Sequence, residues 1–380
     1  MSTLVHSAQL VDAGQLHDDA WVLFDGGRVA GRGAGPEMPA ADEKIDATGR
    51  MLTPGLVDIH CHGAGGASYD AGGDDIATAR AVHREHGTTS SLISLVTASV
   101  DDMARRVAAI ADLSAADATI LGSHLEGPFL DPGHKGAHTA ELLCTPDAAS
   151  VEKLIEAGRG TLRQVTIAPE LPGAIEAIER FVAAGVTVAI GHTDADHDTA
   201  QRAFDAGASV VTHAFNAMRG IHHRSPGPVV AALRDERVTL ELVADGVHVD
   251  LGLIAVVFAA AGARVALVTD AMAAAGAGDG CYDLGGLQVT VTDGVARLQA
   301  GGAIAGSTLT QDAALRRTVA AGVPLEVALH SLTAVPARAV GASDVGSLEV
   351  GCRADAVLWD ANLRVTRVWS GGVETLGAAG

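Results

Sequence analysis

The sequence predicts an α/β fold: a (β/α)8 TIM-like barrel with a small β-sandwich domain formed by the N- and C-terminal segments. Three features of the chain predict it. From Met51 onward, short apolar runs alternate with longer amphipathic segments, while the first 50 residues and the tail alternate apolar and polar residues as strands do. Eight βα units over about 220 residues fit the size of such a barrel. A doubly wound open sheet is the competing fold.

The first 50 residues predict a small antiparallel β unit. The stretches TLVHSAQLV and AWVLFDGGRVAGRG alternate in polarity, and Asp25-Gly26-Gly27 is typical of a hairpin turn. The tail ADAVLWDANLRVTRVWSGG is strand-like in the same way. We therefore expect residues 1–50 to join residues 345–380 in one small β-sandwich domain, with residues 51–344 forming the barrel.

Eight runs are predicted to form the barrel strands. Strands that are buried on both faces of a parallel sheet are nearly continuous in apolar residues, and these runs have that character. Segments such as IATARAVHREHG and AIEAIERFVAAG have the period of amphipathic helices and lie between them. The runs are GLVDIH (55–60), TSSLISLVT (89–97), TILGSHLEG (119–127), RQVTIAPE (163–170), VTVAIGH (186–192), SVVTHAFN (209–216), VTLELVADG (238–246) and VALVTD (265–270).

The alternation stops after the eighth run. Residues 281–299 (CYDLGGLQVTVTDGVARLQ) predict a β-hairpin that turns at Asp293-Gly294. Residues 308–341 predict helices in LTQDAALRRTVAAG and PLEVALHSLTAVPARAVG, before the strand-like tail begins.

Composition excludes several classes of partner. A formal net charge of −20 argues against nucleic acid and anionic membranes as partners, and any site for an anionic substrate must be made by local basic groups or helix N-termini.

Four scattered cysteines without a CxxC pair predict no disulfide framework. The longest apolar run, residues 251–263, is shorter than the roughly 20 residues that span a bilayer. The start MSTLVHSAQLVDAG lacks the pattern of a secretory signal, so we expect a cytoplasmic protein.

Residues with metal-binding or acid/base chemistry stand at the C-terminal ends of the predicted strands. In this barrel fold, those ends and the following loops form the active site. His60 and His62 are two positions apart in the first run, so both side chains are expected to point into the barrel. Imidazole and carboxylate groups suit one or two divalent ions of zinc, iron, cobalt or manganese. The predicted metal ligands are His60, His62, Glu126, His192 and His213.

Asp270 ends the eighth run as a lone carboxylate in LVTDAM. It is either a further metal ligand or the group that takes a proton from a metal-bound water. We predict the second role, which makes Asp270 the catalytic acid/base.

Six motifs occur in the order PGLVDIHCH, HLEGPFL, GHTDA, THAFNAM, LVTDAM and AGSTLT. They resemble the amidohydrolase superfamily and, within it, the N-acetylglucosamine-6-phosphate deacetylase family. HxH alone marks the superfamily, whereas HLEGPF together with HxFNAM is more specific. The resemblance runs from about Leu52 to the tail and implies the same barrel, a small β-sandwich, a divalent metal, and release of acetate from an amino-sugar phosphate.

The resemblance also implies roles for particular residues. Glu126 matches the carboxylate that bridges metals, and no lysine ends a barrel strand here that could replace it. The HxH position varies in the family, so the presence of both His60 and His62 leaves one metal or two open. His138, in HKGAH, resembles a histidine that polarises the substrate carbonyl. Arg224, in HHRSPG, resembles an arginine that grips the phosphate, often across a homodimer interface.

The resemblance yields a set of substrate-binding candidates at the loops of the barrel mouth. For two of them a simpler interpretation stays open, with Arg224 as a solvated loop charge and His138 as an ordinary loop histidine. The candidates are Ala137, His138, Asn216, Ala217, Arg224, His248, Ala305, Gly306 and Ser307.

Other functions remain open at this point. The chain could act on N-acetylgalactosamine 6-phosphate, since only the orientation of one hydroxyl distinguishes the two sugars. It could be a cyclic-amide hydrolase or nucleobase deaminase of the same superfamily, which would not need HxFNAM or the arginine after it. A non-catalytic barrel used for assembly should have lost ligands, whereas all six groups are present here.

Overall fold

The computed structural model describes residues 1–376, so the last four residues of the predicted small domain, 377–380, lie outside the described residues. The strands, numbered in chain order, are β1 (Thr3–Asp12), β2 (Gln15–Asp25), β3 (Arg28–Ala34), β4 (Glu43–Asp46), β5 (Met51–Pro54), β6 (Leu56–Asp58), β7 (Gly63–Ala64), β8 (Ala67–Ser68), β9 (Thr88–Val96), β10 (Ile120–Glu126), β11 (Leu162–Ile167), β12 (Thr187–Ile190), β13 (Val210–Val211), β14 (Thr239–Val243), β15 (Val265–Val268), β16 (Gly280–Leu284), β17 (Leu287–Thr292), β18 (Val295–Leu298), β19 (Ala356–Trp359), β20 (Val365–Ser370) and β21 (Val373–Leu376).

The helices lie mainly between the barrel strands. Within residues 1–376, no helix combines the length and the apolar character that crossing a membrane requires. The α-helices are α1 (Gly73–Glu85), α2 (Val100–Ala116), α3 (Ala148–Gly158), α4 (Ala174–Ala183), α5 (His197–Asp205), α6 (Gly227–Arg234), α7 (Leu251–Ala261), α8 (Gln311–Ala320), α9 (Leu325–His330) and α10 (Ala334–Ala339).

Eight parallel strands form the barrel in the order β6-β9-β10-β11-β12-β13-β14-β15. The first and last strands meet just past their C-terminal ends, where the Asp270 amide donates to the His60 carbonyl oxygen over 2.9 Å. The predicted barrel is therefore confirmed, with a strand in each of the eight predicted runs. All nine residues of β9 are buried, as expected of a strand covered on both faces.

The helices cover the barrel with one apolar face each. In α4, the buried residues are Ala174, Ala177, Ile178 and Phe181, which is the i, i+3, i+4, i+7 spacing of one helix face. Phe181 packs near Phe129 from the loop after β10, with ring centroids 6.4 Å apart. This packing fixes the strands, and with them the loops that carry the polar residues.

A second eight-stranded sheet joins the two ends of the chain. Its order is β21-β20-β19-β5-β1-β2-β3, with β4 paired to β1. Strand β5 pairs in parallel with β1 and antiparallel with β19, so it links the N-terminal strands to the C-terminal ones. Phe24 and Trp369 meet in its core with ring centroids 6.0 Å apart. Strands from both ends of the chain therefore lie in one sheet.

The segment after the eighth barrel strand differs from the prediction. It forms a three-stranded antiparallel sheet, β16-β17-β18, instead of a two-stranded hairpin. The predicted turn at Asp293-Gly294 is present, and Gly285-Gly286 makes the additional turn with φ of 58° and 83°. Adjacent glycines adopt these angles at little steric cost, and this favours a tight hairpin turn.

Candidate active site

A cavity of about 340 Å³ opens at the C-terminal ends of the barrel strands. The three-stranded sheet contributes an apolar part of its wall through Leu284. Among the described residues, no arginine or lysine lines the cavity. The site residues predicted from the sequence that line the cavity are His62, Glu126, Ala137, His138, His192, His213, Asn216, Ala217, His248, Asp270 and Gly306.

The six predicted metal and acid/base residues form two adjacent clusters of buried side chains. The first, here the Glu126 cluster, consists of Glu126, His192 and His213. The second, the His60 cluster, consists of His60, His62 and Asp270.

The Glu126 cluster is tightly convergent. The Nε2 atoms of His192 and His213 each lie 3.0 Å from Oε1 of Glu126, and they lie 3.0 Å from one another. All three residues are at most 4% exposed. The three donor atoms thus point at one small volume on the cavity floor.

Glu126 also connects the two clusters. Its Oε2 lies 3.1 Å from Nε2 of His62 and 3.4 Å from Nε2 of His138. In the His60 cluster, the Nε2 atoms of His60 and His62 are 3.2 Å apart, and both lie within 3.6 Å of Oδ1 of Asp270. The two oxygens of Glu126 therefore contact donor atoms of both clusters.

The backbone turns sharply where three of these residues leave their strands. His192, His213 and Asp270 have φ of 48°, 26° and 48°. A left-handed conformation costs a residue with a side chain about 1 kcal/mol or more, and such strain is concentrated at functional sites. Gly191 precedes His192 in close contact, since a Cβ there would lie 2.7 Å from Cβ of Thr212.

His60 and His62 reach the site in a different way from the one predicted. Strand β6 ends at Asp58, so strand alternation does not orient their side chains. The backbone is held instead by the residues that follow β15, where His60 O accepts from Asp270 N and His62 N donates to Ala271 O over 2.7 Å. The two imidazoles still converge because this short extended segment is held against the end of the eighth strand.

Hydrogen bonds on the far side of two rings determine which nitrogen carries the proton. Nδ1 of His192 donates to the His134 carbonyl over 2.9 Å, and Nδ1 of His60 donates to Oε2 of Glu241 over 2.9 Å. Each neutral ring then presents the lone pair of Nε2 to its cluster. Lone pairs that face each other and a carboxylate repel unless a proton or a cation lies between them. This donor set, all imidazole and carboxylate, fits a divalent cation.

The charges around the two clusters also favour a bound cation. Burial lowers the pKa of His60, but the carboxylates of Glu126, Glu241 and Asp270 outweigh it and raise that pKa well above its ordinary value. Burial raises the pKa of Glu126, but the charge of His60 and the close contacts with neighbouring histidines lower it well below its ordinary value. The site thus stabilises anionic carboxylates together with positive charge.

His138 is buried beside these clusters. Its Nδ1 lies 2.8 Å from the Thr97 hydroxyl, which itself donates to the Glu126 carbonyl over 3.0 Å. Because a carbonyl oxygen only accepts, the hydroxyl proton points to Glu126 and Nδ1 of His138 is the donor. Burial lowers the pKa of His138 to about 4. The neutral ring therefore presents an unprotonated Nε2 to the cavity.

His248 connects the cavity to a second carboxylate. Its Nδ1 donates to Oδ2 of Asp245 over 2.7 Å, and its Nε2 lies 3.6 Å from Oδ2 of Asp270. Burial lowers the pKa of His248, but Asp245 and Asp270 raise it above its ordinary value. Three groups thus form a chain from Asp245 through His248 to Asp270.

Three substrate-binding candidates do not line the cavity. Ala305 and Ser307 are buried, and Ser307 is bonded to the backbone of the eighth strand: its amide donates to Asp270 O and its hydroxyl donates to Thr269 O, both over 2.6 Å. Arg224 is exposed on the loop before α6 and makes no ion pair within residues 1–376. Ser307 thus holds the backbone at Asp270, Ala305 packs in the apolar cluster of the three-stranded sheet, and Arg224 faces solvent.

Sequence reasoning missed Glu241, Gln164 and Asp245. Glu241 is fully buried inside the barrel, in β14, where it contacts His60. The signal was present, since Glu241 is the one charged residue inside the apolar strand TLELV. A buried carboxylate needs hydrogen-bond donors, which would have indicated a polar network there.

Comparisons with known proteins agree with this geometry. The model of the family described as "Amidohydrolase family" matches residues 51–375. A protein of Escherichia coli named N-acetylgalactosamine-6-phosphate deacetylase is 40% identical over 338 residues, 87% of this chain and 89% of the relative. A Vibrio furnissii protein named N-acetylglucosamine-6-phosphate deacetylase is 37% identical over 324 residues, 84% of this chain and 81% of the relative.

A solved structure is similar over nearly the whole chain. It is N-acetyl-D-glucosamine-6-phosphate deacetylase from Mycobacterium smegmatis, an aspartate-to-alanine mutant in complex with N-acetyl-D-glucosamine-6-phosphate. The TM-score is 0.94 at 42% sequence identity, with 99% of each chain covered.

Proposed function

This chain belongs to the amidohydrolase family, and from that premise we propose that it hydrolyses the acetyl amide of N-acetylglucosamine 6-phosphate to glucosamine 6-phosphate and acetate. It is a hydrolase that acts on a linear amide C–N bond, and its relatives are named as deacetylases. The strongest support within the molecule is the position of Glu126, whose two oxygens contact donor atoms of both histidine clusters on the cavity floor.

The family and the two clusters indicate a divalent cation. We propose that Glu126, His192 and His213 would hold one ion and that His60 and His62 would offer a second position next to Glu126, with zinc as the native metal. When bound, such a cation lowers the pKa of a water molecule and polarises a carbonyl oxygen. All-imidazole and carboxylate ligation is equally compatible with iron, cobalt or manganese, so elemental analysis of the purified protein identifies the metal.

Asp270 is proposed to move the proton. Its Oδ1 faces His60 and His62, and its Oδ2 faces His248, so both oxygens lie at the cavity. Asp270 takes the proton from the attacking water and returns it to the leaving amine nitrogen. The bond from Ser307 to the Asp270 carbonyl keeps this strand end in place while the proton moves.

We propose for His138 a role that differs from the one the family resemblance implies. Its Nε2 accepts a hydrogen bond in the neutral ring, because Nδ1 donates to Thr97. We therefore propose that His138 orients the substrate through one of the substrate's hydrogen-bond donors and does not itself polarise the carbonyl.

The phosphate requires positive charge that the described part of this chain does not bring to the cavity, since neither arginine nor lysine lines it. We propose that the protein is a homodimer and that Arg224, exposed on its loop, reaches the neighbouring subunit's cavity. This arrangement would solve the problem of binding an anion to a chain with a net charge of −20.

Replacing Arg224 with Ala is expected to raise KM for the phosphorylated sugar by about 10-fold or more, because a charge-assisted hydrogen bond is lost. The value of kcat should change little, and KM for unphosphorylated N-acetylglucosamine should not change. Arg105→Ala, at an arginine exposed on α2, is the matched control. An equal effect on both sugars would remove the phosphate contact from the account.

A specific observation favours a second substrate. The E. coli relative is named for N-acetylgalactosamine 6-phosphate. Acetate release measured with both amino-sugar phosphates, and with a hydantoin, dihydroorotate and adenine, tests the proposal. We expect kcat/KM to be highest for N-acetylglucosamine 6-phosphate and activity on the last three to be absent. A higher value for the galacto sugar would reassign the substrate, and activity on a cyclic amide alone would reject deacetylation.

We further propose a cytoplasmic location. All four cysteines are free, two of them exposed, as expected of a protein kept in a reducing compartment.

A further inference from the structure

Glu241 lies at the centre of the barrel, below the cavity floor. It belongs to β14 and is fully buried. Its carboxylate has three hydrogen-bond donors: Nδ1 of His60 at 2.9 Å, the Gln164 amide at 2.7 Å and the backbone amide of His213 at 3.2 Å. No step of the proposed reaction uses this carboxylate directly.

The location of Glu241 is costly without such donors. A carboxylate removed from water is strongly destabilising unless hydrogen bonds replace its hydration. Here the donors come from three different strand ends or strands, so the position of one carboxylate is tied to all of them. One of its oxygens, Oε2, contacts the ring of His60 in one cluster and the backbone of His213 in the other.

The bond to His60 has a chemical consequence. Because Nδ1 of His60 donates to Glu241, the neutral ring has its lone pair on Nε2, which faces Nε2 of His62 and Oδ1 of Asp270. Without Glu241, no other group among residues 1–376 forms a hydrogen bond with Nδ1 of His60, so the ring could carry its proton on either nitrogen or rotate. A ring with its proton on Nε2 cannot bind a cation there.

We propose that Glu241 is a positioning residue that orients His60 for cation binding and couples the two clusters. The inference rests on the proposed cation site, but not on the identity of the substrate. A carboxylate partner of a ligating histidine fixes the ring and its tautomer, and losing such a partner typically costs about 10- to 100-fold in metal affinity.

The test is Glu241→Gln in the full chain, with cobalt(II) binding as the readout. Glutamine keeps the size of the side chain and removes the charge. Its new amide group can be accommodated because Oε1 of Gln164 is buried without a hydrogen-bond partner among the described residues, so a flipped Gln164 amide can accept from it. The remaining glutamine oxygen still faces Nδ1 of His60 but is uncharged, and an uncharged acceptor holds the ring and its tautomer less strongly than a carboxylate does. Asp355→Asn is the matched control, since Asp355 is also a buried, hydrogen-bonded carboxylate but lies just before β19, a strand of the sheet that joins the termini.

We expect Glu241→Gln to bind the cobalt(II) ion of the His60 cluster about 10- to 100-fold more weakly than the unmodified chain, with an altered visible spectrum of that ion. Asp355→Asn should bind it normally. A dissociation constant for cobalt(II) within about threefold of that of the unmodified chain, together with an unchanged visible spectrum, would overturn the proposal. If Glu241→Gln does not fold, Glu241→Asp replaces it in the same experiment. Aspartate keeps the charge but moves the carboxylate away from His60. Weaker cobalt(II) binding by this variant would support the proposal, and unchanged binding would overturn it.

Failure of this inference is distinguishable from failure of the proposed function. Acetate release by the unmodified chain tests the function and needs no variant. Normal cobalt(II) binding by Glu241→Gln rejects the positioning role even if acetate is released, and weakened binding supports that role even if neither amino-sugar phosphate is a substrate.

Discussion

The Asp270→Asn variant is expected to release acetate at least about 10³-fold more slowly than the unmodified chain, a loss near 4 kcal/mol of transition-state stabilisation. Asparagine has the same shape but cannot take a proton from water or return it to the amine. The Glu126 cluster does not include Asp270, so the variant should keep the ion held there. Steady-state kinetics and elemental analysis of one preparation measure both quantities.

The control for Asp270→Asn is Asp250→Asn. Asp250 lies on the same face of the barrel and caps α7 by accepting from the Gly252 amide over 2.8 Å. Asparagine caps a helix about as well as aspartate, so this variant should retain full activity. If Asp270→Asn kept kcat within 10-fold of the unmodified chain, Asp270 could not be the group that moves the proton.

Glu126→Gln is expected to abolish both metal binding and activity. Its carboxylate contacts His62, His138, His192 and His213, and an amide would remove the charge and leave one donor facing their nitrogen atoms. Losing only an outer partner of a ligand costs about 10- to 100-fold in metal affinity, and the loss of a ligand should exceed about 100-fold. Equilibrium binding of zinc measures this loss, and kcat/KM for acetate release should fall with it.

Glu170→Gln is the matched control for that experiment. Glu170 also follows a barrel strand at the same face, but its carboxylate accepts from the Thr193 hydroxyl and the Asp194 amide. This variant should bind zinc as the unmodified chain does. Normal zinc affinity in Glu126→Gln would mean that Glu126 is not a ligand.

The barrel could be predicted from the sequence because local patterns encode it. Each of the eight runs is apolar over the length of a strand buried on both faces, and each contains a strand of the barrel. The position of Glu126 followed from the same reasoning, since it is the last residue of β10. A residue at a strand end lies at the barrel mouth whatever its neighbours are.

The orientation of side chains beyond a strand end could not be predicted in this way. Alternation does not extend to His60, because β6 stops at Asp58 and the segment after it is held by backbone bonds to residues 270 and 271. The left-handed backbone at His213 is set by tertiary contacts, among them the bond from its amide to Glu241. Partners that are distant in sequence determine both.

The sequence could not predict which nitrogen of His138 carries the proton, because that also depends on a partner that is distant in the chain. Thr97 is 41 positions away in the chain, yet its hydroxyl decides that Nδ1 of His138 is the donor. The resemblance to a family suggested a carbonyl-polarising histidine. The role proposed here for His138 rests on the hydrogen bonds of Thr97, which make Nδ1 the donor and leave Nε2 as an acceptor.

The most direct test of the account is acetate release from N-acetylglucosamine 6-phosphate by the full chain, with bound metal counted in the same sample before and after treatment with a chelator. The account predicts that activity disappears as the metal is removed and returns in proportion to the zinc that is bound again. Full turnover by metal-free protein, or no acetate from protein that has been reloaded with zinc or cobalt, would contradict it.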